Sequence, residues 1–328
     1  MTDILAVGEI LIDLTQSGLT EQGIPKFDAN PGGAPANLAV AASRLGAKTA
    51  FIGKVGGDSF GASLKECLRE NHVDVSGVVT APDLPTTLAV VSLDEQGERH
   101  FSFYRQQSAD VALSNDEISM QHLQNTRILH FGSVSLTADP SRSATLHAVK
   151  VARENGAMIS YDPNYRARLW PDEQTAVEQM LAPLPMVDIL KVSDEELPLL
   201  TGTDDPEAGT AALAEKGISL IFVTLGPNGA FYRFGEKTGL VPGVPCKVGD
   251  TNGAGDTFFG AALSQLVRYA RLTDMTVPEL EGIIAFANAA ASLTTSRHGA
   301  IPAMPSLEEA RSSLKNVSQF AMAFVRET

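Results

Sequence analysis

Between Val248 and Phe259 the chain reads V-G-D-T-N-G-A-G-D-T-F-F. Gly253, Ala254 and Gly255 carry almost no side chain, so their backbone N–H groups can approach a ligand closely where they open the apolar helical run Thr257 to Leu266. The unpaired amides and the dipole of such a helix favour an anion in front of it, phosphate included. Asp256 follows in the first turn. A carboxylate there can take a proton from a substrate hydroxyl while the amides hold a transferring phosphoryl group. The same acid could serve the helix alone, because first-turn acids stabilise an N-terminus. On this stretch by itself the two readings stand level.

Other polar residues stand where apolar runs stop, and in open α/β sheets ligands gather beyond the carboxyl ends of the strands. Val192 is followed by Ser193-Asp194-Glu195-Glu196, which reads locally as a capped acidic helix start. Lys191, just before it, could face phosphates or simply stand on its strand. Thr224-Leu225-Gly226-Pro227-Asn228-Gly229 is a turn leading into the run Ala230 to Phe234. Asp13 lies inside the apolar run Ile10 to Leu14, where an acid needs a reason: it either caps a turn at the strand end or accepts hydrogen bonds from sugar hydroxyls. Gly32-Gly33 would let backbone come close to a ligand. Asn37 opens a helix of small residues, Leu38 to Leu45, as cap or as contact. Asn288, on the Ala-rich run Leu280 to Thr295, reads by itself as a packing polar group.

These residues need a frame. Ile4 to Val7 and Ile10 to Leu14 form an almost continuous apolar run, which reads as a strand buried on both faces, as in a parallel sheet. The polar, turn-rich Gln16 to Pro31 reads as part of a flap. Thr49 to Val55 is a strand, Asp58 caps a helix Ser59 to Glu70, and Val75 to Val79 is a short strand. The β-branched and aromatic runs Thr86 to Leu93 and Arg99 to Tyr104, joined by Asp94-Glu95-Gln96-Gly97-Glu98, signal a hairpin. From Ile128 onward strands and helices alternate, which predicts an α/β fold with a mostly parallel, helix-covered sheet. The hairpin interrupting that rhythm is most simply a lid. The expected division is a main domain of residues 1–15, 32–84 and 107–328, with 16–31 and 85–106 as a β-lid; Pro305 to Thr328 reads as an outer helical tail.

Composition narrows the partners. A net charge of −14 over 328 residues argues against nucleic acid and against an anionic membrane surface, both of which are bound by clustered Lys and Arg. Cys67 and Cys246 have no metal-binding or CxxC spacing and read as buried free thiols of a reducing compartment. The start of the chain has neither a basic region nor a long apolar stretch, so the expected location is the cytoplasm. The P-loop pattern is missing, as is a G-x-G-x-x-G after the first strand.

D-T-N-G-A-G-D resembles the C-terminal signature of the PfkB, or ribokinase-like, family of sugar kinases. Gly32-Gly33-Ala34-Pro35-Ala36-Asn37, with Leu45-Gly46 and Gly53-Lys54-Val55-Gly56-Gly57-Asp58, resembles the N-terminal one. The similarity covers essentially the whole chain. It implies a three-layer α/β/α sandwich with a small β-sheet lid, and homodimers paired through that lid. It makes Asp256 the base and the amides of Gly253, Ala254 and Gly255 an anion hole. Asp13, Gly32, Gly33 and Asn37 would contact the sugar. Glu196 would organise Mg²⁺ through water, with Ser193 standing where the family more often has Asn. Lys191, Thr224, Gly226 and Gly229 would lie along ATP and Asn288 near adenine. A K⁺ ion would be held by Asp250 and the backbone carbonyls of Asn252, Thr294, Arg297 and Gly299.

Phe103-Tyr104-Arg105-Gln106-Gln107-Ser108-Ala109-Asp110 and Asp162-Pro163-Asn164-Tyr165-Arg166, with Leu169-Trp170, resemble segments of the fructokinases in that family. They add Phe103, Arg105, Asn164 and Arg166 to the sugar contacts and imply transfer of the ATP γ-phosphoryl group to the 6-hydroxyl of fructose. The runner-up is a 2-keto-3-deoxygluconate kinase, whose substrate carboxylate would suit paired arginines. A nucleoside kinase and a sugar-binding regulator that has lost catalysis are the remaining alternatives. The F-Y-R and D-P-N segments count against the first, and an intact Asp256, glycine run and Glu196 against the second.

Overall fold

The structure, a computed structural model, describes residues 1–93 and 99–315. In chain order the strands are β1 (Thr2–Val7), β2 (Leu11–Leu19), β3 (Pro25–Gly32), β4 (Thr49–Gly56), β5 (Asp74–Ala81), β6 (Leu88–Leu93), β7 (Arg99–Tyr104), β8 (Thr126–Gly132), β9 (Met158–Asp162), β10 (Ile189–Ser193), β11 (Leu220–Thr224), β12 (Ala230–Phe234) and β13 (Lys237–Val241). The helices are α1 (Ala34–Arg44), α2 (Ser59–Glu70), α3 (Met120–Gln124), α4 (Ser141–Glu154), α5 (Glu173–Leu181), α6 (Glu196–Thr201), α7 (Pro206–Ala214), α8 (Ala254–Leu266) and α9 (Val277–Thr295).

Among the described residues the strands make two sheets. The larger runs β13-β12-β11-β10-β9-β8-β1-β4-β5. It is parallel from β11 to β5, and the antiparallel β12 and β13 extend one edge. Its central strands are mostly apolar because both faces are covered. On β1, Leu5 and Val7 join the core under α4, α5 and α7, with Ala148, Met180 and Leu213. Ile4 faces the opposite layer, with Leu38 of α1, Phe259 of α8 and Ile284 of α9. The result is a three-layer α/β/α sandwich. Each fully buried Leu, Ile or Phe contributes roughly 1.5–3 kcal/mol of apolar burial.

The smaller sheet has the order β3-β2-β6-β7. Its presence corrects the reading of Ile4 to Leu14 as one strand: β1 belongs to the large sheet, while β2 starts at Leu11 and pairs with β3 and β6 in the small one. Gly8 and Glu9 divide the two. A buried apolar run looks the same in either sheet, so the pattern could not assign it. The small sheet therefore takes in residues 11–15, which the sequence reading placed with the main layer. β6 and β7 pair antiparallel, as the hairpin signal implied; their connection at 94–98 lies outside the described residues. Helix α1 starts at Ala34, ahead of Asn37, with Pro35 in its first turn, a favoured place for proline. Of the expected tail, residues 307–315 are helical and the rest lies outside the described residues.

Candidate active site

The carboxyl ends of the parallel strands open toward the start of α8. Gly253 caps that helix in the left-handed region, φ +73°. An added Cβ there would come within 2.9 Å of the Ala300 side chain, so glycine is needed for both conformation and space. Asp256 sits in the first turn and is only 8% exposed. Its carboxylate is held from two directions: Asn37 Nδ2 on α1 donates to Oδ2 at 2.8 Å, and Asn164 Nδ2, just beyond β9, lies 3.4 Å from Oδ1. Asn164 reaches it with a left-handed backbone, φ +47°. Burial pushes the Asp256 carboxyl above the usual aspartate range, opposed by the Asn37 hydrogen bond and the charges of Lys191 and Arg166. A carboxylate so placed holds a proton more tightly than a free one.

Asp13 approaches the same group from the small sheet. Burial pushes it up to about 6; the Arg166 charge opposes that rise and the Asp256 charge adds to it. Gly32 is fixed by this acid, since a Cβ on it would collide with the Asp13 carboxylate. Across the small sheet Asp13 pairs with Asn30 on one side and Ala89 on the other, and Ala89 pairs with Phe103. Directly paired residues share a face, so Phe103 and Asn30 flank Asp13 over the small Ala89. Gly33 sits at the N-cap of α1.

On the other side of α8's first turn lies a cleft of about 850 Å³. Ala254, Gly255, Asn164, Arg166, Lys191, Ser193, Glu196, Thr224, Gly226, Gly229 and Asn288 all line it. Ser193 and Glu196 form the reciprocal cap that their spacing allowed: the Glu196 amide donates to Ser193 Oγ at 3.2 Å and the Ser193 amide to Glu196 Oε2 at 2.8 Å. The Tyr165 amide donates to Glu196 Oε1 at 2.7 Å. The helix-cap and cleft-wall readings of this acid are thus compatible, because the capping bonds hold its carboxylate rigidly at the wall. Asn288 donates through Nδ2 to Val241 O at 3.1 Å and Pro242 O at 3.0 Å. It lines the cleft while its Nδ2 ties α9 to the end of β13.

Asp250 joins the loop before α8 to the loop after α9. It accepts from the Asn252 amide at 3.1 Å and the Gly299 amide at 3.2 Å. This brings the backbone of 250–252 beside that of 295–299, where the Gly249 and Asp250 amides also donate to Thr295 O. Among the described residues no cluster of three or more His, Cys, Asp or Glu side chains could hold a metal.

Two expectations change. Arg105 is 7% exposed and turned inward: it pairs with Asp110 at 2.6 Å and donates to Thr137 Oγ1 at 2.5 Å and Val134 O at 3.0 Å. It anchors the root of the small sheet instead of lining the cleft. Cys246 is exposed, not buried, and lies on the cleft wall; Cys67 is half-buried. Sequence reasoning missed the strip Gly243, Val244, Pro245, Cys246 and Val248 along the cleft, whose Pro and Gly content signalled only an irregular loop. It also passed over Asn30 and Asp162.

The sequence profile of the pfkB family carbohydrate kinases matches residues 1–307. Probable fructokinase-2 of Arabidopsis thaliana is 43% identical over 319 residues, 95% of this chain and 95% of that protein. Fructokinase from Xylella fastidiosa with bound ATP superposes with a TM-score of 0.90 at 33% identity, over 96% of this chain and 99% of that one. A double mutant of fructokinase from Vibrio cholerae O395, bound to fructose, ADP and potassium ion, gives 0.87 at 35% identity, over 96% and 98%.

Proposed function

The chain belongs to the pfkB family of carbohydrate kinases, with the ribokinase-like fold, and on that premise we propose that it is an ATP-dependent fructokinase producing fructose 6-phosphate and ADP. The observation that carries the mechanism is the position of the Asp256 carboxylate. It stands in the first turn of α8, held by Asn37 and Asn164, with the large cleft on one side and Asp13 on the other. A sugar on the Asp13 side would present its 6-hydroxyl to Asp256, which takes the proton as the oxygen attacks the γ-phosphorus. The bond to the bridging oxygen breaks in line, and ADP departs through the cleft. Amides of Gly253, Ala254 and Gly255 would stabilise the oxygens of the transferring group. Gly32, Gly33 and Phe103 would shape the sugar side, with Thr224, Gly226 and Gly229 along the nucleotide. Mg²⁺, held through water by Glu196, would offset the phosphate charge, and K⁺ would be held at Asp250 with the carbonyls of Asn252, Thr294, Arg297 and Gly299. Fructose and ATP as substrates are supported by the ligands of the bacterial fructokinases.

The small sheet is proposed as the lid, and the surface on which two chains pair. Leu19, Ile24, Phe27 and Tyr104 are exposed on or beside its strands, in keeping with a covered face. Light scattering at twice the chain mass checks the pairing. No helix among the described residues is long and apolar enough to cross a membrane; a cytoplasmic location, where ATP is supplied, is part of the same proposal. The 2-keto-3-deoxygluconate reading asked for two arginines near a carboxylate. Arg166 remains on the cleft wall near Asp13 and Asp256, but Arg105 is occupied by Asp110, which favours the uncharged sugar. Purified protein with ATP, Mg²⁺ and a panel of sugars and sugar acids tests this. The expected result is the highest kcat/KM on fructose, with phosphate on C6; a higher value on 2-keto-3-deoxygluconate overturns it.

A further inference from the structure

Beneath the first turn of α8 lies a buried ion pair that the mechanism above does not use. Lys191 Nζ sits 2.9 Å from Asp162 Oδ2 and 3.2 Å from Oδ1, and the two side chains are 7% and 3% exposed. They come from adjacent parallel strands, β9 and β10, whose register sets Ile189 beside Ser160 and Leu190 beside Tyr161; continuing it sets Lys191 beside Asp162. The ammonium lies 3.2 Å from where a Gly255 Cβ would be, so it is pressed against the middle of the expected anion hole. Burying such a pair costs several kcal/mol of desolvation per ion, and apolar residues would stabilise the sheet as well or better.

We propose that Asp162 is a positioning residue for phosphoryl transfer: it pins the charged Lys191 ammonium against Gly255, so that a fixed cation lies under the α8 amides and beside the Asp256 base. This rests on the roles given to Asp256 and the α8 amides above. Without Asp162 the flexible lysine stem could swing into the cleft or lose its proton. The groups facing Asp256 are Lys191, Arg166, Asp13 and Asp162; those facing Lys191 are Asp162, Glu196, Asp256 and His130. His130, whose ring meets Phe259 edge-on from below, is held neutral by burial and by the Lys191 charge, with its pKa lowered to about 3.

The test compares wild type with Asp162→Asn, Asp162→Glu, Lys191→Met and Asp256→Asn. Melting curves verify folding, and kcat and KM for ATP and fructose are measured from acid to alkaline pH. Asp162→Asn is expected to lower kcat about 10- to 100-fold with little change in the KM for fructose, and Asp162→Glu to recover part of that loss. The acid limb of kcat/KM should move to higher pH in both Lys191→Met, which removes the cation beside the base, and Asp162→Asn, which releases it. General loss of packing would lower kcat without moving the limb of both variants the same way. Limbs that stay at the wild-type pH, or a Glu variant no better than the Asn variant, overturn the proposal while leaving the fructokinase reading intact. If Asp162→Asn does not fold, the Lys191→Met limb decides alone. A wild type inactive on fructose, or an Asp256→Asn variant that keeps its rate, overturns the parent reading and this one with it.

Discussion

Asp256 is the residue on which the proposed chemistry turns, and its surroundings make a directional claim. Removing the base while keeping the shape, Asp256→Asn, is expected to reduce kcat about 10²- to 10⁴-fold with the KM for ATP little changed, read by ADP release. Burial raises the wild-type carboxyl above the free value of 3.8. Activity should therefore fall on acidification at a higher pH than an exposed aspartate would give. Asn37 was legible in the sequence as a cap or a contact and Asn164 as a contact only through the family resemblance; that both address one carboxylate was not legible. Arg105 shows the opposite case. Its place in a binding-like segment suggested a sugar contact, yet Asp110, five residues on, and Thr137 hold it inside.

At the scale of elements, two helix starts bear most of the positional load. Gly253 supplies the left-handed cap of α8 and clears Ala300. Gly253→Ala should cost about 1–3 kcal/mol of stability in urea unfolding and lower kcat by displacing the amides. At α2, Asp58 accepts from the Gly61 amide at 2.8 Å and also from the amide and hydroxyl of Thr86, just before β6. It thus ties a helix of the main layer to the entry of the small sheet. Asp58→Ala is expected to cost about 1–2 kcal/mol. Its carboxyl is held below the usual range, burial being outweighed by the bonds from Thr86 and Gly61. The stabilisation is accordingly present above the unfolded pKa and lost as pH falls through the folded one. The urea midpoints of variant and wild type should converge in acid; a constant gap would refute the assignment.

For the whole molecule, the crossings between the two sheets matter most. Glu9 lies between β1 and β2, fully enclosed, with Oε1 accepting from the Ala34 amide at 3.1 Å. Burial pushes it to about 7 from 4.5, against the pull of Arg105. A carboxyl raised by folding stabilises fully below its unfolded pKa, and that contribution is lost as pH rises through the folded one. Wild-type stability should therefore decline between about pH 4.5 and pH 7, and Glu9→Gln should flatten that decline. Urea midpoints across the range check it, and parallel curves would count against it.

Read alone, the amino-acid order determined the alternating α/β pattern with a mostly parallel sheet, and a glycine-rich loop opening a helix with an acid in its first turn; the role of that acid came from the family resemblance. Those depend on short-range properties: apolar runs that suit a parallel sheet buried on both faces, and glycines followed by an acid at a helix start. Tertiary structure alone decided which sheet received Leu11 to Leu14, that Arg105 turned inward, that Asn288 braced β13, and that Lys191 found Asp162. Each of these is a choice among partners distant along the chain or equal in pattern, and only packing, register and desolvation select between them.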